Sequence, residues 1–275
     1  MDGSPQRWRL DLCWDGRAYM GWQRQPHGPS VQAAVEEALQ RVLGGRGARV
    51  EASGRTDAGV HALHQVAAFD SPVPRQPAAL VRGLNHHLPA DIACLAACLA
   101  PPGFDPRRWT RGKLYRYRIL QRGPRCPFRH GQVLHYPQAL DLQAMVEAAR
   151  CLPGTHDMRS FQAMGCGAQQ TVRRLSAARV NRVEDELQIE LQGHGFLRHM
   201  VRIVAGSLVE VGRGAQAPGW LGQVLAARDR AAAGPTLAAH GLWLVEVDCP
   251  MVPRPISPLG EESGDQAGDD SEEED

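Results

Sequence analysis

Strand-like and helix-like hydrophobic patterns follow one another along this chain in an irregular order, and that order limits the folds open to it. Residues 8–14 alternate as a strand does and stop at the Asp15-Gly16 turn. Ser30 is placed to cap a helix over 31–43, whose apolar face is Val31, Ala34, Val35, Ala38, Leu39 and Val42, with Gly44-Gly45 ending it. Residues 50–53 and 65–69 read as short strands around a glycine-punctuated loop, 78–86 as a helix and 92–99 as a strand. Pro101-Pro102-Gly103 then breaks the chain, dividing an N-terminal lobe (1–104) from a C-terminal lobe (105–250). The second half opens with a strongly alternating strand, 113–120, followed by a helix over 142–151 that Pro153-Gly154 closes. Strands at 172–183 and 186–192 share a charged turn, helices follow at 196–211 and 220–228, and 242–247 is a last strand. Neither half repeats β-α-β units, so the expectation is an α+β fold, not a doubly wound parallel sheet.

Charge separates a further segment. The 275 residues carry a formal net charge of only +1, which taken whole argues against a polyanion partner. Residues 261–275 hold nine of the 30 acids and no base, leaving 31 basic against 21 acidic residues in the body. From 251 onward Pro, Ser, Gly and acids dominate, so 251–275 is expected to be a disordered acidic tail. Thirty of the bases are Arg and one, Lys113, is Lys. A GC-rich genome produces such a bias, as the abundant Ala and Gly also suggest. Whatever its origin, a guanidinium-covered body suits phosphate and carboxylate partners.

Other classes are excluded more simply. No stretch reaches the ~20 apolar residues of a membrane helix, and the first nine residues lack an apolar export signal. Seven cysteines, an odd number with no CxxC pair, do not read as a disulfide framework, so a cytoplasmic location is expected. Nothing near His61 and His64 completes a metal ligand set, and no metal is expected.

Three segments could carry chemistry. In Ser53-Gly54-Arg55-Thr56-Asp57-Ala58-Gly59-Val60-His61, two glycines bracket an Arg and an Asp between strands. Asp57 there is either a poised carboxylate or, as Asp more often is in such contexts, the closure of a turn. Residues 107–129 hold eight Arg and Lys113, no acid, and the aromatics Trp109, Tyr115, Tyr117 and Phe128. Strand alternation puts the two tyrosines on one face and Arg116 and Arg118 on the other. That imbalance favours a polyanion partner, with aromatic faces available to unpaired bases. In residues 195–206, Leu197, Met200, Val201 and Val204 form a helix stripe, with Arg198 and Arg202 together on another face. A buried guanidinium at this place needs an anion.

Together these segments resemble the tRNA pseudouridine synthase A family over nearly the whole chain, to about residue 249. Trp14-Asp15-Gly16 and Gly21-Trp22-Gln23-Arg24-Gln25 resemble the opening Y-D-G and G-W-Q-R-Q. Residues 54–61 match G-R-T-D-A-G-V-H, and Leu84-Asn85 through Leu88-Pro89 to Asp91-Ile92 match the next block. Lys113-Leu114-Tyr115-Arg116-Tyr117 matches K/R-x-Y-R-Y, and residues 154–161 and 196–206 complete the series. Trp14 stands for a usual Tyr, Asp105 for the His of F-H-A-R, and Cys249 where an aromatic often ends the last strand. The acidic tail is not part of the pattern.

The resemblance implies two similar α+β lobes sharing a continuous, mainly antiparallel sheet flanked by helices, with a basic active-site cleft between them. It implies a homodimer that isomerises uridine to pseudouridine in the anticodon arm of tRNA, at tRNA positions 38, 39 and 40, without a cofactor. Asp57 becomes the catalytic nucleophile, Tyr115 the residue that stacks on the uracil, Arg202 the partner of Asp57, and Arg55 a residue that helps extrude the base. The same residues would serve a synthase acting on another RNA site. A non-catalytic RNA-binding protein would need no such combination, and a sugar hydrolase would need a second carboxylate near Asp57.

Overall fold

Strand β1 (Gln6–Trp14) shows how the sheet is built. Its alternation sends Trp8, Leu10 and Leu12 into the core and Arg9 and Asp11 to the opposite face, where they are buried as well. In this computed structural model, which describes residues 5–250, β1 pairs antiparallel with β3 (His61–Ser71) on one side and β4 (Ile92–Leu99) on the other. Between them in the chain come helix α1 (Val31–Val42), the two-residue strand β2 (Glu51–Ala52) and helix α2 (Pro77–His87). The Ser30 hydroxyl caps α1 by accepting from the Ala33 N–H at 3.3 Å. Pro77 opens α2, where its missing N–H costs nothing. Helix α2 packs on β4 and α1 on α2. Each fully buried aliphatic of this layer, such as Leu39, Leu80 and Leu84, contributes on the order of 1.5–3 kcal/mol by leaving water.

The second half adds β5 (Gly112–Leu120), β6 (Leu134–His135), α3 (Leu142–Ala149), β7 (Gly154–Asp157), β8 (Val172–Val183) and β9 (Glu186–Gly193). Helices α4 (Met200–Gly212) and α5 (Trp220–Ala227) and strand β10 (Leu242–Asp248) follow. The main sheet runs β4-β1-β3-β10-β5-β9-β8-β7, with β2 beside β3 and β6 beside β5. Most pairings are antiparallel. The exceptions are β5 with β6 and the short parallel contact of β10 with β3, Trp243 to His61 and Leu244 to Ala62. The last strand thus inserts between β3 and β5 and joins early and late segments in one sheet. Its insertion brings the β2–β3 loop beside the end of β5.

Most expected elements form within a few residues of their expected ends; three readings change. The strand expected at 65–69 runs from His61 to Ser71. Residues 154–157, read only as a helix stop, pair with β8 as β7. The helix expected from 196 begins at Met200, because His199 takes a left-handed conformation (φ 61°) that an α-helix cannot include. Arg198 therefore lies in a turn outside α4 and does not share a helix face with Arg202. The acidic tail expected at 251–275 lies outside the described residues.

Candidate active site

The loop between β2 and β3 is fixed at its root by buried polar groups. Ser53 and Gln65 are fully buried, and the Ser53 hydroxyl donates to Gln65 Oε1 at 2.5 Å. The Gln65 amide donates in turn to the Gly54 carbonyl at 3.0 Å. Lys113 Nζ, reaching across from β5, donates to the Ser53 carbonyl at 2.7 Å, and a side chain at Gly54 would collide with it. Burial, with Arg107 nearby, pushes the Lys113 ammonium down to about 8.

The tip of the loop is held by residues 14–22. The Trp22 N–H donates to the Thr56 carbonyl (3.2 Å), the Gly59 N–H to the Tyr19 carbonyl (3.1 Å) and the Trp14 indole N–H to the Val60 carbonyl (3.1 Å). Gly21 has φ +93°, and a Cβ there would stand 2.5 Å from the Thr56 oxygen and 3.0 Å from the Asp57 carbonyl carbon. The backbone around Asp57 is therefore tightly placed while the Asp57 side chain stays 27% exposed.

Across from it, α4 and the residue before it supply an arginine and a histidine. Arg202 Nη1 lies 3.6 Å from Asp57 Oδ2, and His199 Nε2 lies 3.7 Å from the same oxygen. Arg202 is oriented by donating its Nε–H to the Leu237 carbonyl at 2.7 Å. Burial, with Arg202, Arg198 and Arg230 around it, outweighs the pull of Asp57 and lowers the His199 imidazole below its ordinary range. Tyr115 is 8% exposed and packs edge-on against Phe196, with ring centroids 4.9 Å apart. Its phenol is pushed up by burial first and by the charge of Asp57 second.

The structure thus brings Asp57, Arg202 and Tyr115 into one place. Arg55 is exposed and makes no hydrogen bond or ion pair among the described residues. His199, Lys113 and the Ser53–Gln65 pair were given no site role from the sequence. Gln65 was signalled by its polarity in a buried strand, and Lys113 by being the one lysine among 30 arginines.

The basic segment 107–129 divides. Arg116 pairs with Glu190 and Arg118 with Glu186, each at 2.7 Å, and Arg129 with Asp185 at 2.6 Å. Arg122 lies 3.8 Å from Asp185. The arginine face of β5 is therefore neutralised by β9 and the turn before it. Arg107, Arg108, Arg111 and Arg125 make no ion pair among the described residues. His61 and His64 do not converge: His61 meets Gly131 and Asp15, whereas His64 meets Asp11 and Val247.

A sequence model of the family described as tRNA pseudouridine synthase matches residues 14–106 and 148–250. Those segments include Asp57, His199 and Arg202, whereas Lys113 and Tyr115 fall between them. Proteins named tRNA pseudouridine synthase A are similar over most of their length. The one from Myxococcus xanthus is 46% identical over 242 residues, 88% of this chain and 91% of that protein. That of Syntrophotalea carbinolica is 48% identical over 87% of this chain and 94% of its own. That of Acidiphilium cryptum is 43% identical over 91% and 99%.

Proposed function

Because this chain belongs to the tRNA pseudouridine synthase family, we propose that Asp57 is the catalytic carboxylate of a uridine-to-pseudouridine isomerisation. The chain is a tRNA pseudouridine synthase, an isomerase acting on tRNA. The reaction breaks the N1–C1′ bond of a uridine, turns the uracil and joins C5 to C1′. The C5 proton is lost, and N1 ends protonated. Nothing is oxidised and nothing is released but that exchanged proton, so the chemistry asks for no cofactor.

The reading rests on one observation: an aspartate on a tightly held loop faces an arginine from α4 beside a buried tyrosine. The Asp57 carboxylate either attacks the ribose or stabilises positive charge developing at C1′. Arg202, fixed by Leu237, orients that carboxylate without covering it. The target uridine leaves its stack to reach the site, and Tyr115 supplies an aromatic surface for the uracil. Arg55, exposed beside Asp57, is free to enter the gap that the base leaves.

The substrate uridines are those at tRNA positions 38, 39 and 40 in the anticodon arm, with two copies of the chain acting together as a homodimer. Among the described residues no helix is long and apolar enough to cross a membrane. All seven cysteines are free, which accords with a reducing cytoplasm. The test supplies tRNA tritiated at uridine C5 and counts label released to water. Release by the wild type and none by Asp57→Asn supports the assignment. Release that survives the substitution removes Asp57 from the chemistry.

A further inference from the structure

A cavity of about 390 Å³ opens at the start of β5, lined by Arg108, Trp109, Thr110, Arg111 and His194. Its size lies at the lower end of small-ligand sites. No carboxylate lines it, and neither guanidinium has an ion-pair partner among the described residues. The turn that presents these groups is well tied. Asp105 Oδ1 accepts from the N–H groups of Arg107 and Arg108 at 2.8 and 3.1 Å, and Thr110 Oγ1 donates to the Pro106 carbonyl at 2.6 Å. Trp109 packs edge-on against Phe104, ring centroids 5.2 Å apart, so its indole is held in place. Of the neighbouring acids, Asp105 caps this turn, and Asp248, whose backbone carbonyl accepts from the Arg111 N–H at 2.8 Å, has an exposed side chain that does not line the cavity.

The cavity adjoins the candidate active site through the sheet. Lys113 pairs with Gly193 in register, so His194 is the next residue beyond that pair and Arg111 lies two residues before Lys113. From the same pair, Lys113 Nζ reaches the root of the Asp57 loop, and Phe196, two residues after His194, packs on Tyr115. Two unpaired guanidiniums, an imidazole and a fixed indole around one opening form a set that takes a phosphate bearing a flat ring.

We propose that this cavity binds a nucleotide flanking the target uridine, its phosphate between Arg108 and Arg111 and its base or ribose against Trp109. The inference rests on the RNA-directed reading given above and adds a place where the substrate is gripped outside the reacting centre. Arg108 and Arg111 then act in binding, and their loss falls on Kd and KM rather than on kcat.

The test titrates a fluorescent anticodon stem-loop RNA over a range of salt. Arg108→Ala/Arg111→Ala is expected to weaken binding on the order of tenfold and to flatten the log Kd against log salt slope by about 0.7–0.9, for one phosphate no longer neutralised. Trp109→Leu is expected to weaken binding about fivefold or more, while Trp109→Phe keeps most of it. Urea midpoints confirm that the variants are folded. Arg41→Ala/Arg82→Ala, on α1 and α2, controls for general charge. Equal Kd and equal slope in the Arg108/Arg111 variant, or an equal loss in the control, overturns the proposal. Should the wild type release no tritium, the isomerase reading falls, and the stem-loop titration still decides the cavity.

Discussion

Two aspartates of this molecule each face an arginine and a histidine, and their surroundings differ. Asp11 is 4% exposed, with Arg9 Nη2 at 2.8 Å and His64 Nε2 at 3.0 Å from the same oxygen. Asp57 is 27% exposed, with Arg202 at 3.6 Å and His199 at 3.7 Å. The difference lies in what secondary structure imposes. Arg9 and Asp11 are i, i+2 on one strand and share a face by the pleat, so their pairing is local and close. Asp57 and Arg202 come from a loop and a helix 145 positions apart, each fixed by its own surroundings, and they meet without full contact. The Asp11 carboxylate is closed off in the core, its short contacts all on one oxygen and the other oxygen buried without a hydrogen-bond partner, so no substrate reaches it. The Asp57 carboxylate, part-exposed and held 3.6 Å from Arg202, stays open to one.

The sharpest way to break the comparison is to substitute both. Asp57→Asn is expected to lower tritium release by on the order of 10⁴-fold, as loss of a catalytic nucleophile does, with the urea midpoint nearly unchanged. Asp11→Asn is expected to do the reverse. It removes the charge that Arg9 Nη2 meets at 2.8 Å in the core and destabilises the fold by roughly 1–3 kcal/mol, while the fraction still folded keeps its kcat. If the Asp11 variant loses turnover as deeply while fully folded, the division between structural and reactive aspartates is wrong.

Gly21→Ala tests the tight hold on the Asp57 backbone. With φ +93° and a Cβ 2.5 Å from the Thr56 oxygen, the alanine cannot fit unless the Asp57 loop moves. A displacement of about 1 Å costs on the order of 10²-fold in rate. Substrate binding, measured with the stem-loop, is expected to change far less. Unaltered kcat in a folded Gly21→Ala protein shows instead that the loop has slack.

The same contrast explains what could be read from the chain before it folded. Elements with clean periodicity were legible, because alternation in residues 8–14 or a Ser30 cap is a local property. So was the Asp57 loop, whose glycines and Asp sit together in sequence. What was not legible depends on pairing between distant segments. The apparent charge excess of Arg116 and Arg118 vanishes only when β9 brings Glu190 and Glu186, about 70 residues on, across from them. Arg198 seemed to share a helix face with Arg202 until the left-handed His199 cut the helix short. Nothing local announces that conformation, since the preceding residues continue the apolar stripe.

The smallest expected effect concerns His199, and it separates the two sites by pH. The folded imidazole titrates below its ordinary value of 6.5 because burial and the surrounding Arg202, Arg198 and Arg230 outweigh Asp57. Between that lowered value and 6.5 the unfolded chain binds more protons than the folded one, so stability falls as the pH is lowered through this window. As the pH falls further, to the lowered value and below, an imidazolium forms 3.7 Å from Asp57 Oδ2 and draws the carboxylate away from the substrate. His199→Gln keeps a polar group at the position and removes the titration. At pH 7.5 its rate is expected to lie within about threefold of the wild type, since both carry a neutral side chain there. The ratio of variant to wild-type kcat should climb as the pH drops through the lowered value, and the acid loss of stability should shrink. A ratio that stays flat down to the acid limit of the folded protein means that His199 never charges beside Asp57. In that case the looseness of this site is set by Arg202 alone.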